Sequence, residues 1–361
     1  MKPNILLIYT GGTIGMIKDP DTGALRSFDF DELLLHIPEI RQLDCEIETH
    51  SFKSPIDSSN MNVEEWQRIG QHIHDNYSQY DGFVVLHGSD TMSYTGSALS
   101  FMFENLDKPI ILTGSQLPIG DLRTDAKENL ITSLQLASQV DDQARAVIKE
   151  VCIYFEYQLY RANRTSKVNA EHFEAFSSAN FPALAISGVH LNIKKHLLWN
   201  KEDNIYAFAK AESEKVIPVE DIHKMRYRPL LVDDVVVIRL FPGMKESIIS
   251  AIFSIPGLKG VIIETYGSGN APTLKWFNTL LSNALEKGVR IVNVTQCHGG
   301  GVNMTKYDTG IHLLRLGVVS AHDMTTEAAL AKMMYLLQHT SNYDSFKIYF
   351  ETSLRGELTR Q

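Results

Sequence analysis

The sequence predicts an α/β protein of two stacked α/β domains, the larger N-terminal one on a mixed or parallel sheet and the smaller C-terminal one on a four-stranded parallel sheet, and three observations carry that reading. Short apolar runs rich in β-branched residues alternate with helix-period segments almost from end to end. Many of those runs end in glycine- and hydroxyl-rich turns, which suits strands buried on both faces. A lysine- and glutamate-rich stretch around 197–221 loses the period, and the alternation restarts beyond it. Strand–helix order of this kind argues for parallel sheets. The domains expected are 1–200 and 222–361, joined by a linker at 201–221.

Taken in order, Asn4–Tyr9 (NILLIY) is an apolar run closing on a glycine turn, hence a buried strand. A helix is expected at 29–37 and is stopped by Pro38. Residues 45–52 alternate as a strand, and a polar loop covers 54–60. Asn62 is placed to cap the next helix, with Glu65 as its capping-box partner. Strands follow at 83–87, 109–113 and Val151–Phe155, with helices at 93–105 and 125–140. After the linker come strands 235–240, 260–264 and Arg290–Thr295, with helices 245–253, 273–286 and 325–339. This second part reads as a small four-stranded parallel sheet with helices on both faces.

Composition excludes several classes. The 361 residues are 44% hydrophobic and 21% charged, enough apolar material for a sizeable core and too much for disorder. A net charge of -9, with no lysine/arginine run longer than two, disfavours nucleic acid or an anionic membrane as main partner. No apolar stretch exceeds six residues, far below the ~20 of a membrane helix. The first apolar run is too short, and lacks a small-residue cleavage site, for a secretory leader. Cys45, Cys152 and Cys297 are odd in number and widely spaced, so no disulfide framework is implied. The expectation is a soluble, cytoplasmic globular protein.

In parallel α/β sheets ligands bind beyond the carboxyl ends of the strands. Four polar segments fall at such positions, all in the first domain: 10–15, Asp57-Ser58-Ser59, 87–91 and 113–116. Thr10-Gly11-Gly12-Thr13-Ile14-Gly15 reads three ways: a plain glycine turn, an anion cradle of backbone N–H groups, or an open turn presenting Thr13 as a nucleophile. It lacks the P-loop lysine and the GxGxxG spacing, which disfavours a nucleotide. Residues 16–28 read as a flap over a ligand. In His87-Gly88-Ser89-Asp90-Thr91, Ser89 and Asp90 either cap the following helix or place a hydroxyl and a carboxylate at the sheet edge. Lys167, in the polar loop 163–167, is by default a solvated lysine; beside a hydroxyl, its neutral amine would serve as a base. Metal sites are set aside: His72 and His74 lie i,i+2 on one helix, and His87, His298 and His322 have no ligand-like spacing. A catalytic Cys297 has no marked third partner. No cofactor is expected.

Two strings make the chain resemble the bacterial-type L-asparaginases, and within them the cytoplasmic type I branch. These are Leu7-Ile8-Tyr9-Thr10-Gly11-Gly12-Thr13-Ile14-Gly15 and the run from Gly82 to Met92, GFVVLHGSDTM. Further matches are Asp57-Ser58-Ser59-Asn60-Met61, the 163–167 segment, Tyr266-Gly267-Ser268-Gly269-Asn270-Ala271-Pro272, Thr295-Gln296-Cys297 and the closing Leu354-Arg355-Gly356-Glu357-Leu358-Thr359. The resemblance implies a larger N-terminal and a smaller C-terminal α/β domain, assembled as homodimers or homotetramers. It also implies hydrolysis of L-asparagine through a β-aspartyl ester on Thr13, with Ser89, Asp90 and Lys167 as the second catalytic group. Asp57, Ser58, Ser59, Ser89 and Asp90 would hold the substrate, and Asn270 would reach a neighbouring subunit's site.

Two departures stand out. The family usually has threonine at the position of Ser89; serine keeps the hydroxyl and loses a methyl. Some type I members bind a second asparagine near an arginine that is Glu264 here, so that regulation is not expected in this chain. Competing readings are a silent amino-acid sensor of the same fold, and a nucleotide-dependent oxidoreductase, weakened by the missing glycine fingerprint. A third is the asparaginase-like tRNA amidotransferase subunit, which carries an extra N-terminal module; this chain's first strand begins at residue 4.

Overall fold

The computed structural model describes residues 2–18, 25–27, 37–200, 224–306 and 308–359, which fall into two compact units, 2–200 with 224–229 and 230–359. Residues 29–36 of the expected helix and all of the expected linker, 201–221, lie outside the described residues. Pro38 opens a 3-10 turn, Pro38–Gln42, where its fixed φ suits the first position.

The first unit is built on eight strands: β1 Asn4–Tyr9, β2 Glu46–Ser51, β3 Gly82–Leu86, β4 Ile110–Thr113, β5 Val151–Phe155, β6 Gln158–Arg161, β7 Ala185–Ile186 and β8 Asn192–Ile193. They lie in the order β8-β7-β6-β5-β4-β3-β1-β2. The five strands from β2 to β5 are mutually parallel, and β6, β7 and β8 add on antiparallel. The sheet is therefore mixed, its antiparallel edge made by short strands that carry no readable period. Strands β3, β4 and β5 are buried along their whole length, as expected of strands covered on both faces. Helices α1 Val63–Asn76, α2 Met92–Met102 and α3 Ala126–Ala137 supply the crossovers. The Asn62 side chain accepts the Glu65 N–H at 2.9 Å, the predicted cap. Helix α2 ends three residues before the predicted 105, because Phe103–Glu104 leaves it to pair antiparallel with Arg226–Tyr227. Of the expected flap, Met16–Lys18 and Leu25–Ser27 form an antiparallel ladder and the rest lies outside the described residues.

Register decides where the site is. Tyr9 lies opposite Ser51 and Leu86, and Leu86 opposite Thr113, so β1 to β4 end at one level. The chain leaves β1 for β2 on one side and then for β3 on the other. The loops after β1 and β3 consequently diverge at a topological switch point, where such sheets open a crevice.

The second unit is a parallel sheet of β9 Val235–Arg239, β10 Gly260–Thr265, β11 Arg290–Thr295 and β12 Val319–Ser320, in that order. Helices α4 Glu246–Phe253, α5 Lys275–Glu286, α6 Asp308–Leu316, α7 Thr326–His339 and α8 Tyr343–Phe350 complete it. Strand β12 and helices α6 and α8 are additions to the predicted elements. Each unit has its own apolar core, centred on Ile5, Val84 and Ile111 in the first and on Val261, Ile291 and Phe277 in the second.

Candidate active site

Three loops meet beyond the ends of β1, β2 and β3. Thr10 ties the first to the third: its N–H and its hydroxyl both donate to Leu86 O, at 3.1 and 2.8 Å. Ile56 N–H donates to Thr10 O at 2.7 Å and draws in the second loop. The contact is close enough to require glycine. A Cβ on Gly12, whose φ is 93°, would stand 2.6 Å from Gly88 N, and a Cβ on Gly88 would stand 2.5 Å from Ser58 Oγ. Thr13, half-buried, opens the 3-10 turn Thr13–Gly15 directly after Gly12.

On the second loop, Asp57 caps the turn Ser58–Asn60, accepting the Ser59 N–H at 2.9 Å and the Ser59 hydroxyl at 2.8 Å. Those two donors hold the Asp57 carboxyl below its ordinary range. Ser58 is buried, and the Thr91 hydroxyl donates to its carbonyl at 2.8 Å. Ser89 and Asp90 open a 3-10 turn, Ser89–Thr91, that runs into α2, but neither acts through its side chain as the cap. The helix-cap reading of these two is thereby replaced.

Lys167 is not a solvated lysine. Its segment leaves β6 as a buried 3-10 turn, Ala162–Arg164, and Ser166–Lys167 pairs with Phe176–Ser177. The base of the segment is anchored by a buried ion pair, Arg161 Nε to Glu150 Oε2 at 2.6 Å. At the far end Lys167 Nζ donates to Ser89 Oγ at 2.8 Å and to Asp90 Oδ1 at 2.7 Å, with the lysine side chain 16% exposed and the aspartate 65%. The structure thus brings together Thr13, Asp57, Ser58, Ser59, Ser89, Asp90 and Lys167 in the first unit.

Asn270 belongs to the second unit, in the turn after β10. Asn293, buried on β11, accepts the Thr265 hydroxyl at 2.7 Å and donates to Gly269 O at 3.1 Å, while the Thr295 hydroxyl donates to Gly267 O at 2.6 Å. Those side chains fix the turn, and the Thr309 hydroxyl donates to Asn270 Oδ1 at 2.7 Å. Glu264 is occupied: it accepts the Thr326 hydroxyl at 2.6 Å and faces Arg239 Nη1 at 3.5 Å.

His87 is a core residue. Its Nδ1 lies 2.7 Å from Gly88 O, and its Nε2 lies 2.9 Å from Thr95 Oγ1, which itself accepts the Trp66 Nε1–H at 2.9 Å. Thr95 therefore gives its proton to Nε2, and the imidazole is neutral with its proton on Nδ1. Burial brings its pKa down to about 4, against a smaller upward pull from Gly88 O. An unfolded histidine protonates near 6.5. Above that pH neither state is charged. Stability is therefore lost as pH falls from about 6.5 toward about 4, by about 2.5 kcal/mol at pH 4.5. Urea midpoints at pH 7.5 and 4.5 should show a smaller acid loss in His87→Asn than in wild type; equal losses contradict the assignment.

One residue near the hydroxyls had no assigned role. Gln116, in the turn after β4, accepts the Ser89 hydroxyl at 3.2 Å. The signal was its place at a strand end, but its partner comes from a loop 27 residues away. Among the described residues, no group of three or more His, Cys, Asp and Glu is placed to hold a metal, and no helix is long and apolar enough to cross a membrane.

Family models match both parts of the chain: "Asparaginase, N-terminal" over residues 4–199 and "Glutaminase/Asparaginase C-terminal domain" over 234–350. The chain belongs to the asparaginase family. It is 38% identical over 359 residues to L-asparaginase 1 of Escherichia coli K12, spanning 99% of this chain and 98% of that protein. It is also 39% identical over 380 residues to a 60 kDa lysophospholipase of Mus musculus, covering 98% of this chain and 62% of the mouse protein. The crystal structure of L-asparaginase I from Vibrio cholerae superposes with a TM-score of 0.85 at 37% identity, covering 100% of both chains. Asparaginase-family membership thus covers the whole two-domain architecture.

Proposed function

We propose that this chain hydrolyses L-asparagine to L-aspartate and ammonia, with Thr13 as nucleophile and a β-aspartyl ester as intermediate. The observation that carries the reading is the contact of Lys167 with both Ser89 and Asp90, on a turn whose Gly88 is packed against Gly12, the residue before Thr13. Amide hydrolysis needs a nucleophile, a proton route and donors for the developing oxyanion. Thr13 Oγ1 attacks the side-chain carbonyl, its proton leaves by way of Ser89 and Lys167, and the departing nitrogen takes up a proton to become ammonia. Water then cleaves the ester. Backbone N–H groups of the 11–14 and 88–90 turns supply the oxyanion donors.

Lys167 engages Asp90 through Oδ1, and we assign Oδ2 to the substrate ammonium. Ser58 takes the α-carboxylate, Asp57 and Ser59 frame its turn, and Asn270 completes the site of a neighbouring subunit in a cytoplasmic homodimer or homotetramer. A small zwitterion explains a site made of carboxylates and short hydroxyls; the acyl chain that the mouse relative's name suggests is a poor match for them.

The test is ammonia release from L-asparagine and L-glutamine. Release from asparagine supports the reading; no release, with L-aspartate still bound, favours the silent sensor. The rate should rise hyperbolically with asparagine, since Glu264 repels a second carboxylate and is already paired with Thr326 and Arg239. A sigmoidal curve counts against that expectation.

A further inference from the structure

Serine has one heavy atom on Cβ and samples three staggered rotamers, so an isolated Ser89 has no fixed hydroxyl direction. Its two side-chain partners remove that freedom. With Lys167 Nζ donating, the Ser89 oxygen accepts from it at 2.8 Å and the Ser89 proton rests on Gln116 Oε1 at 3.2 Å; in the relay proposed above the Ser89 oxygen takes the Thr13 proton while its own passes to Nζ, which accepts it as a neutral amine. The Gln116 carboxamide is itself held in one orientation. Its Nε2 donates to Ala170 O at 3.2 Å and to His172 O at 3.0 Å, so its two N–H groups each have a backbone carbonyl and Oε1 is turned to Ser89. Reversing the amide would set Oε1 against two carbonyl oxygens.

The support beneath Gln116 is equally specific. Asp125, buried at the head of α3, does not cap its own helix; its carboxylate accepts the N–H of Gln116 at 2.9 Å and of Leu117 at 3.1 Å. Asn129, one turn later and fully buried, donates to Asp125 Oδ2 at 3.2 Å and to Gly114 O at 3.0 Å. A rigid helix end thus carries the turn, the turn carries the carboxamide, and the carboxamide carries the hydroxyl.

We infer that Gln116 is a positioning residue that fixes the rotamer of Ser89 on Lys167, a role resting on the hydrolytic reading above. It touches no reacting atom in that scheme and acts through Ser89. Near-isosteric Gln116→Met removes the acceptor and both donors. It should lower kcat for L-asparagine about tenfold or more, since small misplacements at a reacting centre are costly. KM and the affinity for L-aspartate should change less than about threefold, because Gln116 holds no part of the zwitterion.

The deciding comparison repeats the substitution on Ser89→Thr. A β-branched threonine is stiff at χ1 without outside help. Relative to its own parent, Gln116→Met should therefore cost less than about threefold in kcat on that background, a non-additivity expected only where one residue acts through the other. The inference is overturned if kcat of Gln116→Met equals wild type, if the loss is the same on serine and threonine, or if KM alone rises. These outcomes all presuppose a wild type that releases ammonia; a wild type that releases none removes the hydrolytic reading instead.

Discussion

Thr13→Ala releases ammonia from L-asparagine at less than about one ten-thousandth of the wild-type rate, since removing a nucleophile eliminates the covalent route and leaves only binding and oxyanion donors. The loss falls on the chemistry rather than on the fold. The turn is held by backbone: Gly12 pressed on Gly88, Thr10 bonded to Leu86, and the Gly15 N–H on Gly12 O at 3.3 Å. A half-buried methyl and hydroxyl at its first position add little, so the thermal midpoint should move by no more than about 2 °C. L-aspartate should bind Thr13→Ala with an affinity within about threefold of wild type, because the groups assigned to its ammonium and carboxylate are Asp90 and Ser58. Thr13→Ser keeps the oxygen and should retain turnover at a reduced rate. Ammonia release by Thr13→Ala above a tenth of wild type would move the nucleophile elsewhere and leave the 10–15 turn as an anion cradle.

Much of this site was readable because parallel strands make it so. Buried runs such as GFVVL announce strands, and the residues just after them must lie on one edge of the sheet. That places the loops of Thr13, Asp57 and Ser89 on one edge, while the roles assigned to these residues came from the family resemblance. Lys167 was harder, because its type is usually solvated and its partners lie 77 and 78 residues away. Gln116 falls in the strand-end segment 113–116, but its role was hidden for the same reason: only the folded chain shows that its two N–H groups are already taken by backbone carbonyls. A mixed first sheet was within the expected fold, but its antiparallel edge strands, such as Ala185–Ile186 and Asn192–Ile193, were not located because they are too short to carry a period of two. Helix α2 was overrun because Phe103 and Glu104 are acceptable helix residues; the pairing with Arg226–Tyr227 decides otherwise.

The same blindness hid what the closing motif does, and there the second large effect is expected. Lys332 lies on α7 with Ala331 and Met333 on either side and is fully buried, as is Glu357. Its ammonium pairs with Glu357 Oε1 and donates to Phe350 O at 2.8 Å and Thr352 O at 2.6 Å. Glu357 also accepts the N–H of Leu354 at 2.9 Å and of Arg355 at 2.6 Å, so the carboxylate is the centre around which Leu354-Arg355-Gly356-Glu357 turns. The motif therefore closes the second unit around a buried ion pair. Lys332→Met leaves a buried carboxylate without its counter-charge and two carbonyls without a donor, and should cost about 3–5 kcal/mol, a fall of about 10 °C or more in the midpoint. Burial alone would raise the Glu357 carboxyl; the ammonium and the peptide N–H groups overturn this and hold it below its ordinary 4.5. That stabilisation is present above pH 4.5 and is lost as pH falls through the folded value, so the wild-type and Lys332→Met stabilities should converge below about pH 4.5. Adding Glu357→Gln to Lys332→Met removes the stranded charge and should restore at least about 1 kcal/mol, measured as a double-mutant cycle in urea. Additive losses with no convergence in acid would mean that the pair contributes only packing.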